Sequence, residues 1–172
     1  QNGVGTVEIA NNVRLATNTT FSTTGTGPLI VSGPISGSGG LTKTGSGTLV
    51  LSNLVGNSFS GGVILNAGIL GIWEGNSLGA LPAPGSTNLT FTGDSTLRFE
   101  HQAGALSSLR GFLINAGVVA TIDVQSFNAI LPNNIMGDGS LIKTGSGALS
   151  LMGTNTYTGT TTISGGQLVL GR

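Results

Sequence analysis

Small and apolar residues alternate with polar residues over long stretches of the chain. From Gly137 to Ile163 the odd-numbered positions hold mainly Gly, Leu, Ile, Tyr, Asn and Lys, and the even-numbered positions hold mainly Ser and Thr. Successive side chains of a strand point to opposite faces, so a period of two predicts β-strands. No segment longer than eight residues keeps the spacing of three and four that a helix requires. We therefore predict an all-β protein with little or no helix.

The chain contains an internal repeat. Residues 37–51 recur as residues 137–151, and the five residues from Lys43 and from Lys143 are identical, Lys-Thr-Gly-Ser-Gly. After a two-residue insertion in the first copy, Asn-Ser-Phe at 57–59 corresponds to Asn-Thr-Tyr at 155–157. Turn-like tripeptides also follow apolar runs at equal intervals, at 66–68, 115–117 and 164–166. A turn that recurs after a strand at a fixed spacing indicates a stacked solenoid.

The turns favour parallel over antiparallel strands. Tight hairpins prefer Asn-Gly turns, and the one Asn-Gly pair is at residues 2–3. Glycine-rich corners suit a β-helix, in which the interval between the tripeptides corresponds to about two coils. The pair Gly165 and Gly166 reverses the inward parity, so that Leu168 and Leu170 face inward. We predict a right-handed parallel β-helix of roughly seven coils. It forms a single domain, 1–172, with repeat copies 37–72 and 137–170 and degenerate coils between them.

Composition narrows the classes of function. Only 7% of residues are charged, the formal net charge is zero and glycine occurs 31 times. A nucleic-acid-binding surface needs a basic patch that this chain does not provide. The chain lacks cysteine, which excludes disulfides and thiol chemistry, and no apolar run is long enough to insert into a membrane as a helix. With 38% hydrophobic residues, the chain is expected to fold as a structural β protein that is not an enzyme.

Two stretches depart from the repeat, residues 73–85 and residues 98–110. Loops that interrupt a regular scaffold often carry function, so these stretches are the predicted binding surface. Its candidate residues are Trp73, Glu74, Arg98, Glu100, His101 and Arg110. Trp73 is a possible sugar-stacking ring, although an aromatic content of 5% argues against a strip of several rings. A single histidine without a second ligand nearby predicts no metal site, and no cofactor is predicted.

Other charged residues have simpler interpretations. In a solenoid Glu74 can approach Asp94, and Glu100 can approach Asp123, but we expect isolated charges and predict no catalytic residue. Lys43 and Lys143 share the parity of the inward leucines. We interpret each as a strand-end residue whose stem covers apolar surface while its ammonium group reaches water.

The segment 137–170, with the pattern Gly-x-Gly-x-Leu-x-Lys-x-Gly-x-Gly-x-Leu-x-Leu-x-Gly-x-Asn-x-Tyr-x-Gly-x-Thr-x-Ile-x-x-Gly, resembles the autotransporter-associated β-strand repeat. This repeat occurs in passenger domains of bacterial type V secretion proteins. Residues 37–72 match with a two-residue insertion, and the intervening segment resembles the degenerate coils of that family. The resemblance implies a β-helical segment that is extracellular or on the bacterial cell surface. It does not imply one activity, because passengers with this repeat adhere, assemble, cleave or serve as extensions.

Three functions remain open from the sequence. The first is a non-catalytic structural passenger or stalk segment. The second is a filament subunit that stacks end to end on copies of itself, because Gln1 and Arg172 both border strand-like sequence. The third is an adhesin module that binds a glycan or a protein of a host or neighbouring surface through its irregular loops.

Overall fold

The computed structural model describes residues 4–101 and 105–171, and the ends of the chain, including Gln1 and Arg172, lie outside the described residues. The described chain is a parallel β-solenoid of about seven coils with three faces. Within the described ranges there is no α-helix, and the single helical element is a 3₁₀ turn, Gly75–Leu78. The predicted all-β parallel solenoid and its number of coils are therefore confirmed.

Each complete coil passes along the three faces in turn, but the third face, called the interrupted face, has no regular strand in the middle coils. The long face is an eight-stranded sheet of β1 (Val7–Ile9), β4 (Leu29–Val31), β7 (Thr48–Leu51), β9 (Gly68–Ile72), β11 (Ser95–Phe99), β13 (Val119–Asp123), β16 (Ser140–Thr144) and β18 (Thr161–Ile163). The six-stranded face consists of β3 (Thr19–Ser22), β6 (Leu41–Thr44), β8 (Val63–Leu65), β10 (Thr87–Phe91), β12 (Gly111–Ile114) and β15 (Ile135–Gly137). The interrupted face has β2 (Val13–Arg14) and β5 (Ile35–Ser36) at one end and β14 (Ala129–Leu131), β17 (Ala148–Leu151) and β19 (Gln167–Leu170) at the other.

The core is built from ladders of inward side chains in register. On the long face one ladder runs through Leu29, Leu49, Leu70, Leu97 and Ile122, all buried. Full burial of one such side chain contributes about 1.5–3 kcal/mol. The residues between them point outward, which accounts for the alternation in the sequence.

The interval between the tripeptides at 66–68 and 115–117 corresponds to two coils, as predicted. The residues just before them show this, because Leu65 pairs with Phe91 and Phe91 pairs with Ile114. Leu65 and Ile114 therefore lie two strands apart on the six-stranded face. At the last corner Gly166 has a φ of 62°. Leu168 and Leu170 then align with the buried Leu149 and Leu151, which confirms the parity change at the glycine pair.

Lys43 occupies a rung of an apolar ladder. It lies in register between Phe21 and Leu65, and its residue is 0% exposed. Its Nζ donates hydrogen bonds to the carbonyl oxygens of Thr44 at 2.8 Å, Gly45 at 2.7 Å and Ala67 at 3.0 Å. The expectation that this ammonium group reaches water is therefore wrong. Burial is possible because three carbonyl groups at the corners of two successive coils satisfy all three N–H donors.

Lys143 reproduces this arrangement in the second repeat. It lies in register between Ile122 and Ile163, and it is also 0% exposed. Its Nζ donates to the carbonyl oxygens of Thr144 at 2.9 Å, Gly145 at 2.8 Å and Gly165 at 3.0 Å. The expected solvent-exposed ammonium is wrong here too. In both copies of the Lys-Thr-Gly-Ser-Gly motif, the lysine ammonium therefore joins its own corner to the corner of the following coil by hydrogen bonds.

The buried ammonium groups make stability depend on pH. Burial lowers the pKa of Lys43 from 10.5 to about 8, because the charged form loses its hydration. Burial also lowers the pKa of Lys143, and the nearby charge of Asp123 opposes this shift. Between pH 8 and 10.5 the unfolded chain binds a proton at Lys43 that the folded chain does not. The free energy of unfolding should therefore rise with pH across this window.

Urea unfolding at pH 7.5, 9 and 10 tests this dependence. The wild type should gain stability relative to the Lys43→Met variant, which lacks this titrating group. A difference between the two proteins that stays constant from pH 7.5 to 10 would contradict the expectation.

The two repeats occupy different faces of the solenoid. In the first copy the Lys-Thr-Gly-Ser-Gly corner joins β6 on the six-stranded face to β7 on the long face. In the second copy it joins β16 on the long face to β17 on the interrupted face. Four coils separate β6 from β15, and β16 lies one face further on. The distance from Lys43 to Lys143 therefore corresponds to four coils plus one face.

The middle coils are longer than the others. On the long face the register steps from Leu70 to Leu97 and from Leu97 to Ile122 span more of the chain than the steps before and after them. The step from Leu49 to Leu70 and the step from Ile122 to Lys143 are examples of the shorter, regular coil. The additional residues lie mainly where the interrupted face has no regular strand. The departures that the sequence revealed at 73–85 and 98–110 therefore belong to these two extended coils.

Candidate functional site

The extended coils form an irregular surface beside the long face. After β9 the chain enters the 3₁₀ turn Gly75–Leu78, where the hydroxyl of Ser77 accepts a hydrogen bond from the backbone N–H of Glu74 at 3.2 Å. After β11 the chain passes through residues 102–104, which lie outside the described residues, and returns at Ala105, which bridges to Ile130. Both segments leave the long face at the same corner, so they lie next to each other along the solenoid.

Three rings lie in a row at this corner, one from each of three successive coils; the first two are stacked and the third is tilted. The ring centroids of Trp73 and His101 are 5.4 Å apart with an interplanar angle of 8°. Those of His101 and Phe127 are 6.4 Å apart with an angle of 36°. His101 is exposed and the other two are partly buried. We call Trp73, His101 and Phe127 the ring stack.

The ring stack joins residues that are far apart in the sequence, because the coils bring them to one corner. It contains two of the residues counted in the aromatic content of 5%, and the expectation that the chain forms no strip of several rings stays a prediction. The rings face one another, unlike a flat strip, so their edges and the outermost faces are the parts that can meet a ligand. Stacked rings contribute about 0.5–1.5 kcal/mol beyond their buried area, so the stack also stabilises the corner.

A polar group lies next to the ring stack. Arg98 contacts Oε1 of Glu100 through Nε at 2.7 Å and through its terminal nitrogen at 2.6 Å. The other carboxylate oxygen of Glu100 accepts a hydrogen bond from the amide of Gln125 at 3.2 Å, and Gln125 also donates to the carbonyl of Phe99 at 2.9 Å. The carboxylate lies over Gly71, where a Cβ atom would overlap it. The missing side chain at Gly71 therefore provides the space for this ion pair.

Arg110 lies below the surface. It is 2% exposed and donates to the carbonyl oxygens of Leu78 and Gly79 and to the side-chain oxygen of Asn88. Burial lowers the pKa of Arg110. It borders an open depression of about 460 Å³ whose lining includes Glu74, Asn76 and Ser107. This depression lies between the two extended coils, and Glu74 in its lining follows Trp73 of the ring stack in the sequence.

The structure brings most of the candidate residues to one region. Trp73, Arg98, Glu100 and His101 share the corner of the ring stack, whereas Glu74 and Arg110 border the neighbouring depression. Phe127 and Gln125 also belong to the corner, and the sequence did not identify them. Each follows its partner, His101 or Glu100, by one extended coil, so the spacing would have indicated them only if the lengths of these coils had been known.

The carboxylates have structural partners where the sequence allowed for acid pairs. Glu100 pairs with Arg98, and Asp94 accepts a hydrogen bond at 2.8 Å from the backbone N–H of Val119 in the next coil. Among the residues that the structure describes, no group of three or more His, Cys, Asp or Glu side chains could hold a metal ion. The same part of the chain contains no helix with the length and apolarity needed to cross a membrane.

Comparisons with known proteins agree with the repeat analysis. The family described as passenger-associated-transport-repeat matches residues 41–72 and 141–170. The chain is also similar to a protein described as adhesin BmaC autotransporter from Brucella suis biovar 1 (strain 1330). It is 34% identical to it over 134 residues. The match covers 73% of this chain and 4% of the relative, so the chain spans a small part of that protein's length. No solved structure matches significantly.

These matches confirm the resemblance that residues 37–72 and 137–170 carry. The matched family points to a non-enzymatic role. The chain therefore carries two passenger-associated-transport repeats in a parallel β-solenoid, the arrangement of an extracellular or surface-exposed structural passenger segment of the autotransporter type.

Proposed function

We propose that this segment is a non-catalytic part of an adhesin-type passenger and contacts a glycan or protein on a host or neighbouring cell. The regular coils serve as a stiff support. The extended coils supply the contact surface, formed by the ring stack and by the depression beside it. The description of the relative as an adhesin supports this assignment, although the match covers only 4% of that protein.

The observation that carries the proposal is the corner of the ring stack. Aromatic and arginine side chains are enriched at the centres of binding surfaces. Here an exposed His101 ring is held between Trp73 and Phe127, and the Arg98–Glu100 pair lies beside it. These groups are held in place before a ligand arrives, which reduces the entropy lost on binding. They offer hydrogen bonding and ring contact, and Glu100 is tied to two partners, which supports recognition over catalysis.

Binding of the purified, fluorescently labelled chain to host and bacterial cells, measured by flow cytometry, tests this function. The Trp73→Ala/His101→Ala double variant should reduce binding by about tenfold, the loss expected when central ring contacts are removed. Ile64→Ala on the six-stranded face is the matched control, because Ile64 is an exposed large side chain remote from the corner. Circular dichroism should show that both variants remain folded. Equal binding by the double variant and the control would contradict the proposal, as would a wild type that binds no cells.

A second candidate is end-to-end assembly. In the last coil Ile163 is 52% exposed and Leu170 is 66% exposed, although both continue ladders that are buried in earlier coils. A further coil would cover them, and in this candidate that coil belongs to another copy. Light scattering over a range of concentrations should then show elongated oligomers, and Leu170→Glu should reduce them. A monomer at all concentrations would contradict this candidate.

A further inference from the structure

Arg110 is a buried cation without a carboxylate partner. Its hydrogen-bond acceptors are neutral: the carbonyl oxygens of Leu78 at 3.2 Å and Gly79 at 2.6 Å, and the amide oxygen of Asn88 at 2.7 Å. All six acidic side chains of the protein lie in the described part of the chain, where the one ion pair joins Arg98 to Glu100. Arg110 is therefore a buried charge whose partners in the described chain are all neutral, as are those of Lys43 and Lys143.

The hydrogen bonding of Arg110 is also incomplete. A guanidinium group has five N–H donors, and the contacts above occupy three of them. The Nε atom is buried and has no partner. Lys43 and Lys143 differ in this respect, because each of these buried ammonium groups uses all three donors. The hydrogen bonding of both lysines is therefore complete within the fold, whereas Arg110 has N–H donors that the described chain does not satisfy.

Arg110 lies at the edge of a depression in which a small ligand would fit. The guanidinium borders the depression of about 460 Å³ between the extended coils, a volume within the range of small-ligand sites. Asn76 and Ser107 line the same depression and can bind hydroxyl groups. Because Nε has no accessible surface, an entering group must shift the lining segments slightly to reach it. Glu74 is exposed at the depression and opposes a negative ligand through its charge.

We propose that this depression binds an acidic sugar through its carboxylate, with Arg110 as the residue that recognises the charge. A planar carboxylate matches the fork of N–H groups on a guanidinium. The side chains of Asn76 and Ser107 in the lining suit the hydroxyl groups of a sugar. This inference rests on the proposed function, since it names the chemical class of the ligand that the contact surface would recognise.

Calorimetry with the whole 172-residue chain tests the proposal, with trigalacturonate as the probe and its methyl ester as the uncharged control. The acid should bind and the ester should not, and the affinity of the acid should fall as salt is added. Arg110→Gln should weaken binding of the acid at least about tenfold. Since Arg110 is buried, the fold of this variant must be checked by circular dichroism.

A pair of surface variants makes the test independent of the folding of Arg110→Gln. Glu74→Gln removes a repulsive charge at the depression and should tighten binding of the acid about two- to threefold. Glu8→Gln removes the same charge from an exposed residue of the first strand and should leave the affinity unchanged. No binding of the acid, equal binding of acid and ester, or equal affinities of the two variants would each overturn the proposal.

The outcome can be separated from that of the proposed function. If the Trp73→Ala/His101→Ala variant loses cell binding while the wild type does not bind trigalacturonate, the proposed contact surface is supported and the acidic-sugar site is contradicted. If trigalacturonate binds as expected while the chain binds no cells, the site stands and the adhesive role falls.

Discussion

Replacing Gly68 with alanine is expected to lower the free energy of unfolding by about 3–5 kcal/mol, a large effect for a single methyl group. Gly68 has a φ of 72°, at which an L side chain is strained. Its Cβ would overlap the carbonyl oxygens of Gly45 and Gly47 in the preceding coil and would lie 2.8 Å from Nζ of Lys43. The substitution therefore pushes two successive coils apart at the corner where the lysine joins them.

Gly117 provides the matched control for Gly68. Its φ of 75° is nearly the same, but an added Cβ would meet no atom within 4 Å. Gly117→Ala should therefore cost about 1 kcal/mol, from backbone strain alone. Urea unfolding monitored by circular dichroism gives both values. Equal losses in the two variants would show that strain, and not contact between coils, determines the requirement for glycine.

Lys43→Met should lower the free energy of unfolding by about 2–4 kcal/mol at pH 7. Methionine has a similar length and fills the ladder between Phe21 and Leu65, so packing changes little. The carbonyl oxygens of Thr44, Gly45 and Ala67, however, lose their buried hydrogen-bond donor. Leaving buried acceptors unsatisfied costs more than is regained by removing the buried charge.

Thr42→Met is the control for this variant, because it introduces the same residue one position earlier, on the outer side of the same strand. It should change stability by no more than about 0.5 kcal/mol. Urea unfolding of the two variants at equal pH measures the difference. If Lys43→Met proved as stable as Thr42→Met, the ammonium group would be dispensable to the corner.

The fold was predictable because one physical rule governs nearly every residue. Period-two alternation places Leu49, Leu70 and their neighbours inward, and glycine pairs mark the corners. The environment of Lys43 was not predictable, although its parity was. The carbonyl group of Ala67 that makes burial of the charge possible lies 24 residues further along the chain, and only the stacking of coils brings it to the ammonium.

The candidate site was predictable in outline. The break in the repeat indicated residues 73–85 and 98–110, and Trp73 and His101 do meet. Phe127 was missed because the two extended coils differ in length from the regular coils and from each other, so no single period connects it to Trp73. The burial of Arg110 could not be predicted from the sequence either. Its hydrogen-bond acceptors, at Leu78, Gly79 and Asn88, come from a different coil.

The one-face offset between the two repeats has a consequence for the way a long passenger meets its surroundings. The two motifs are four coils plus one face apart, so the second is rotated by a third of a turn about the solenoid axis relative to the first. Three such steps return the motif to its starting side after thirteen coils. Insertions placed at the same point of each repeat would therefore follow a spiral around the rod. A stalk attached at one end would then present its contact surfaces on all three faces without having to rotate.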